Sequence, residues 1–385
     1  MRQVYLDYAA TTPVDPRVLE EMLPFFAEQY GNASSVHAAG RTAREALDVA
    51  RERVAALIGA VPDEIVFTSG GTEADNFALQ GCMGAWAGRR EHLVTTAIEH
   101  AAVMETARHV ERRGKRVTFV PVDEQGYVAV EAVEPTLGDD TALVSVMLAN
   151  NEVGTMQPVA EIAAICHERG AVVHTDAVQA LGQIPVNVDA LGVDMLSMSA
   201  HKLYGPKGVG ALYIRRGTRM HAVTFGGEQE RRRRAGTENV PGIVGFGKAC
   251  ELARGLLPTE PQREAALRDR LVAGIRDTIA DAIYCGHPHE RLPNNAHFCF
   301  PGANGEALLI RLDDKGIYAA TGSACSSASL EPSHVLAAMG IPLELAYNSV
   351  RFTLGRGTTE EDIEYTLAEL PLAVQQTRAA ARVEL

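Results

Sequence analysis

Between residues 64 and 214 the sequence switches repeatedly between short runs of β-branched and other apolar residues and longer segments with helical spacing. That alternation leaves few folds open, because strands alternating with helical segments build βαβ units, a mostly parallel sheet with helices on both faces. The runs 64–68, 92–96, 116–120, 141–147, 171–175, 195–198 and 210–214 read as strands; 41–58, 72–87 and 160–169 read as helices. Such a sheet presents its loops, and hence its ligands, at the carboxyl ends of the strands. Near residue 250 the pattern changes. A long helical stretch at 264–280, short strands around 296–300, a Gly/Ser-rich loop, a strand at 349–354 and a helix from Glu360 predict a smaller α+β unit. The expected division is a large α/β domain over 13–253 and a small C-terminal domain over 254–385, with residues 1–12 packed back on it.

Charge and cysteine usage narrow the function. The 36 basic residues against 49 acidic ones give a formal charge of −13, which argues against a direct nucleic-acid or anionic-membrane surface. The run Arg231–Arg234 is flanked by Glu228, Glu230 and Glu238 and reads as a solvated or subunit-interface segment. No cationic segment followed by an apolar run opens the chain, and the apolar stretch 142–149 is interrupted by Ser145. A spanning helix needs about 20 apolar residues, so a soluble, cytoplasmic protein without a membrane partner is expected. The six cysteines form no C-x-x-C pair, which fits reduced cytosolic thiols better than a disulfide framework or a metal site.

Several short segments carry residues suited to chemistry. Ser-Ala-His-Lys (199–202) follows an apolar strand and enters a glycine-punctuated turn, and Lys202 is one of only five lysines. A lysine at a buried strand end, beside Ser199 and His201, suits a Schiff base with a carbonyl cofactor, although a snorkelling loop lysine reads equally well. Asp176, at the end of 171–175, is placed to pair with a protonated pyridine nitrogen, and Gln179 follows within reach of a ring oxygen; Asp176 reads alternatively as a helix cap. The turn Thr-Ser-Gly-Gly-Thr-Glu-Ala-Asp (68–75) joins a strand to a helix, so Gly71 and Thr72 stand where open N–H groups and the helix dipole favour a phosphate. His100 after the 92–96 strand suits stacking on a pyridine ring and moving protons, or is an ordinary polar residue. Asn151, in Ala-Asn-Asn-Glu-Val-Gly (149–154), is either a substrate or ring contact or a turn former. Arg351, on the 349–354 strand, offers a planar fork for a carboxylate or for an internal ion pair. Cys325 lies in Thr-Gly-Ser-Ala-Cys-Ser-Ser-Ala-Ser (321–329), whose small residues neither bury a thiol nor pin it. A loop of this kind can carry a sulfur nucleophile into a site and out to an acceptor, or hold a cysteine by accident. Thr237, after the arginine run, is able to bind a phosphate oxygen.

Taken in order, these motifs resemble the cysteine desulfurases of the NifS/IscS type, a branch of the class V aminotransferases. The resemblance rests on Leu-Asp-Tyr-Ala-Ala-Thr-Thr-Pro (6–13), Ser-Gly-Gly-Thr-Glu-Ala-Asp-Asn (69–76), the 149–154 segment, His-Thr-Asp-Ala-Val-Gln (174–179), Ser-Ala-His-Lys (199–202), Arg-Ala-Gly-Thr-Glu-Asn-Val-Pro (234–241), Gly-Ser-Ala-Cys-Ser-Ser (322–327) and Leu-Glu-Pro-Ser-His-Val-Leu (330–336). It implies the fold type I of pyridoxal 5'-phosphate (PLP) transferases and a homodimer. Lys202 would join the cofactor and carry the proton at the substrate Cα. His100 would stack on the ring and handle the substrate thiol proton, Asp176 would hold the pyridine nitrogen, and Gln179 the ring hydroxyl. Gly71, Thr72, Ser199 and His201 would bind the phosphate, with Thr237 contributed across the dimer. Asn151 and Arg351 would contact the substrate, L-cysteine. The implied reaction yields L-alanine and a persulfide on Cys325, for delivery to a protein acceptor such as an iron–sulfur scaffold or a thiolation enzyme. The sequence ends at 381–385 without the longer tail by which IscS-type members hold a scaffold, so the resemblance speaks for the reaction more than for any one acceptor. A selenocysteine lyase or kynureninase-like enzyme would keep Lys202 and Asp176 without needing Cys325. A non-catalytic interaction protein built on the same fold would be expected to lack Lys202 or Cys325.

Overall fold

The computed structural model describes residues 2–322 and 332–381. Twelve strands occur among them: β1 (Val4–Tyr5), β2 (Ile65–Thr68), β3 (His92–Thr96), β4 (Arg116–Val120), β5 (Thr141–Ser145), β6 (Val172–Asp176), β7 (Met195–Ser199), β8 (Gly210–Ile214), β9 (Ile283–Cys285), β10 (Asn295–Cys299), β11 (Ile317–Tyr318) and β12 (Ser349–Thr353). Seven of these form the main sheet in the order β2-β8-β7-β6-β5-β3-β4. β7, β6, β5, β3 and β4 pair in parallel, and β8 alone runs antiparallel to both its neighbours.

The period of two explains why helices cover both faces. Ile65, Phe67, Val94, Val144, Ala211 and Tyr213 point into one core, shared with helices Ala38–Ile58, Val159–Glu168 and Val240–Leu256. Their strand neighbours Val66, Leu93, Leu143 and Leu212 point the other way, into a core shared with helices Gly71–Ala85 and Ala101–Arg112. The polar strand residue His92 is buried at no cost in hydrogen bonding, since its ring meets Thr141 Oγ1 at 3.0 Å and Thr118 Oγ1 at 2.9 Å. The helix Ala38–Ile58 ends where Gly59 turns left-handed at φ 70°.

A second sheet, β12-β10-β9, is antiparallel. Its core includes Phe298, Val350 and Phe352, residues of helices Glu260–Thr278, Gly305–Asp313 and Glu360–Ala381, and Val4 and Leu6 from the start of the chain. β1 pairs in parallel with β11, and Asp7 bridges to Thr353. The first residues thus lie against the C-terminal sheet, and the segment that follows runs toward the carboxyl ends of β6 and β7, where Thr12 Oγ1 donates to the His201 carbonyl at 2.9 Å.

Candidate active site

A cavity of about 920 Å³ opens at the carboxyl edge of the parallel strands. It is lined by Gly71, Thr72, His100, Asn151, Asp176, Gln179, Ser199, His201, Lys202 and Arg351, so ten of the twelve residues singled out from the sequence converge there. The convergence follows from topology: β2, β3, β5, β6 and β7 all end on this edge, and each hands its next few residues to the cavity.

Asp176 ends β6 and is buried at the cavity base. One carboxylate oxygen accepts the Val178 N–H at 2.8 Å, so the residue shapes a turn and does not cap a helix. Burial pushes this carboxyl above its ordinary range, against the pull of His100, the Val178 N–H and Lys202. A cationic ring nitrogen placed against it would favour the carboxylate. Lys202 follows β7, and its ammonium donates to the carbonyls of Ala9 and Ala10, the second at 2.7 Å. Gln179 Nε2 donates to the same Ala9 carbonyl at 3.0 Å. Burial, with the charges of Lys202 and Lys207, lowers His201 to about 4, so its ring is neutral near pH 7; Nδ1 pairs with Thr11 Oγ1 at 3.1 Å.

The candidate phosphate cradle is built from backbone. Gly70 precedes the helix Gly71–Ala85 at φ 153° and ψ −177°, and no side chain caps this helix. Its first N–H groups face the cavity with the positive end of the helix dipole. His100 caps the next helix by accepting the Ala102 N–H on Nδ1 at 3.1 Å, which fixes the ring beside the cavity. Asn151 contributes through its backbone as well, since its carbonyl accepts from Arg351 at 2.8 Å. A buried acid, a facing lysine amine and an uncapped helix start match the ring nitrogen, the aldehyde and the phosphate of pyridoxal phosphate.

Thr237 is exposed and does not line the cavity of its own chain. Cys325 lies outside the described residues. The other five cysteines are buried, and burial pushes the Cys82 and Cys166 thiols up to about 12, far from the thiolate form a nucleophile needs.

Sequence reasoning assigned no role to three neighbours of the site. His174 is buried behind Asp176, its two nitrogens 2.9 Å from Ser145 Oγ and Ser197 Oγ, and burial lowers it to about 3. Asp75 lies beside it and contributes one of three side-chain atoms, with His100 and Asp176, that fall within 4.8 Å of one another. Burial and the neighbouring Asp176 charge hold Asp75 well above the usual carboxylate range. Asp7 pairs with Arg351. Asp75 is a polar residue on an otherwise apolar helix face, beside Ala78, Leu79 and Cys82, the one sequence signal among the three.

A lysine and an acid at adjacent strand ends, over a glycine cradle, define a fold type I site for an aldehyde cofactor. The Aminotransferase class-V family model matches residues 4–366. The cysteine desulfurase IscS of Dictyoglomus turgidum is 51% identical over 377 residues, which cover 98% of this chain and 96% of that one. Among solved structures, a NifS-like protein superposes with a TM-score of 0.92 at 40% identity, covering 97% of this chain and 100% of its own. SspA in complex with cysteine superposes with a TM-score of 0.81 at 34% identity, over 91% of this chain and 99% of that one. The chain belongs to the class-V aminotransferase family, on its cysteine desulfurase branch.

Proposed function

We propose that this chain is a pyridoxal-phosphate-dependent cysteine desulfurase that converts L-cysteine to L-alanine and takes the sulfur as a persulfide on Cys325. The observation that carries the reading is the single cavity in which Lys202, Asp176, His100 and the Gly71 cradle meet Arg351 and Asn151. Asp176, Gln179, Ser199, His201, Thr72 and the Gly71 helix start would hold the cofactor. When bound, the cofactor would draw electrons from the substrate Cα and take up the pair released as the Cβ–S bond breaks, which opens the β-sulfur to nucleophilic attack.

The chain's own residues do the rest. Arg351 and Asn151 orient the substrate through its carboxylate. Lys202 moves the proton at Cα, and His100 takes the proton of the substrate thiol. The Cys325 thiolate attacks the substrate sulfur; an S–S bond forms as the Cβ–S bond breaks, and the bonding electrons stay with the carbon skeleton that becomes alanine. The persulfide then passes to a protein acceptor, with iron–sulfur scaffolds and thiolation enzymes as the two classes. No helix among the described residues is long and apolar enough to cross a membrane, which fits a cytoplasmic enzyme. Exposed Thr237 suits a homodimer in which it reaches the partner's phosphate, and the change of core near Ala253 suits a boundary between two domains.

The test is alanine production from L-cysteine by the cofactor-loaded protein and by Cys325→Ala. Wild type forms alanine and the variant loses at least about 10²-fold in rate, the scale for removing a nucleophile. Equal turnover by the variant would transfer the reading to a lyase.

A further inference from the structure

We propose that Asp7 is a positioning residue that holds the Arg351 guanidinium as a preformed anchor for the substrate carboxylate. The proposal rests on Arg351 being the substrate contact. Arg351 projects from β12 with its side chain only 4% exposed. A cation so deeply placed needs partners, and it has two: Nη2 donates to Asp7 Oδ1 at 2.9 Å, and Nη1 donates to the Asn151 carbonyl at 2.8 Å. Each arm is gripped once, from a different segment of the chain, which fixes the plane of the fork. A guanidinium has five N–H groups, so donors remain for an incoming carboxylate. Nε has no partner among the described residues.

The surroundings make Asp7 the group that decides the orientation. His297 faces Arg351 across the β10–β12 ladder, but burial and the Arg351 charge lower it to about 3, so it is neutral and does not compete. Glu152 is the other carboxyl that feels the Arg351 charge; it is buried and already accepts from Ser333 Oγ. Without Asp7 the Nη2 arm loses its carboxylate partner, and the fork is held through Nη1 and the Asn151 carbonyl alone among the described contacts. Asp7 itself is tied down through its backbone, whose carbonyl accepts from the Tyr5 hydroxyl at 3.1 Å, and through its bridge to Thr353. The same stretch supplies the Ala9 and Ala10 carbonyls to Lys202. The substrate anchor and the cofactor lysine are therefore registered to one piece of chain.

The experiment compares Asp7→Ala, Asp7→Asn and Arg351→Ala in the cofactor-loaded enzyme. Asp7→Ala raises KM for L-cysteine about tenfold with kcat within about twofold, the pattern for a lost charge-assisted contact made equally before and during reaction. Asp7→Asn, which keeps an acceptor without the charge, is intermediate and retains the parental melting temperature. Binding of L-alanine, followed by the visible absorbance of the cofactor, weakens in parallel. Preference for L-cysteine over its methyl ester, which lacks the anionic carboxylate, falls by the same factor. Removing Asp7 from Arg351→Ala adds nothing further. If Arg351→Ala leaves KM and ester preference unchanged, Arg351 is not the anchor and the proposal falls with it. If Arg351→Ala raises KM while neither Asp7 variant does, the Asp7 role alone is overturned.

Discussion

At Gly71 the space for a side chain is already taken: an added Cβ would sit 2.8 Å from Val178 Cγ2, on the wall of the cavity. Valine is stiff at χ1 and cannot swing aside, so the methyl must displace either the wall or the helix start. Overpacking of this kind costs about 1–3 kcal/mol, and here the strain falls on the N–H groups of the cradle. Gly71→Ala is expected to raise the dissociation constant for pyridoxal phosphate about ten- to a hundredfold, measured by equilibrium binding to apoenzyme. Unchanged affinity would mean that the phosphate lies elsewhere. The same scale shows which residues were legible in advance. Lys202 and Asp176 stand at strand ends, where chain direction alone points them at a ligand. His174, Asp75 and Asp7 have their neighbours set by distant segments, so the local sequence does not say what they touch.

The helix Glu260–Thr278 brings a carboxyl into the same neighbourhood. Glu264 is buried among Gln183, Tyr204 and Arg356, and burial, helped by Glu260, raises it from 4.5 to about 8. Between those two values the folded protein holds a proton that the unfolded chain releases, so stability is greatest in acid and declines as pH rises toward about 8. Glu264→Gln cannot ionise and escapes the decline. Relative to wild type it should gain on the order of a few kcal/mol between about pH 5 and about pH 8, read from urea unfolding at both. A pH-independent difference would sink this account. Elements of this kind were readable from periodicity: β3, β4 and β8 fall on the expected residues, and the helix Glu260–Thr278 begins four residues before the expected start. The helix Ala101–Arg112 was less visible because its cap is a histidine, and β5 ends at Ser145, two residues before the apolar run at 141–147 does, although the Val146 N–H still donates to the His174 carbonyl at 3.1 Å.

For the whole molecule, the proposed role of Thr237 across a dimer rests on the segment that carries it. That segment is held firmly in place. Glu230 accepts from both Arg51 arms at 2.8 Å and from the Phe67 N–H at 2.9 Å, and Arg234 pairs with Glu73 beside the cradle. Glu230, Arg231 and Arg232 all take left-handed φ, at 44°, 58° and 65°, a strained conformation that the buried ion pair maintains. An exposed residue on so constrained a turn fits a docking role toward a second copy. Lys202→Ala and Thr237→Ala homodimers should each be impaired, whereas mixed dimers should recover activity in one of two sites, because one cavity then has both an intact lysine and an intact threonine from its partner. Activity of the mixture equal to the average of the two variants would place Thr237 outside the partner's site.

Fold class followed from the sequence alone, because strand and helix periods and the direction of each strand end are local properties of the chain. So did the chemical types available at the edge of the sheet: a rare lysine, an acid, a glycine turn and a planar cation. Which of them touch was decided by tertiary structure. The Ala9 and Ala10 carbonyls reach Lys202 across more than 190 positions, and Asp7 meets Arg351 across 344. Contacts of that separation depend on how the N-terminal segment threads between two cores, and burial, which sets the protonation of Asp75, His174 and His201, exists only once those cores have closed.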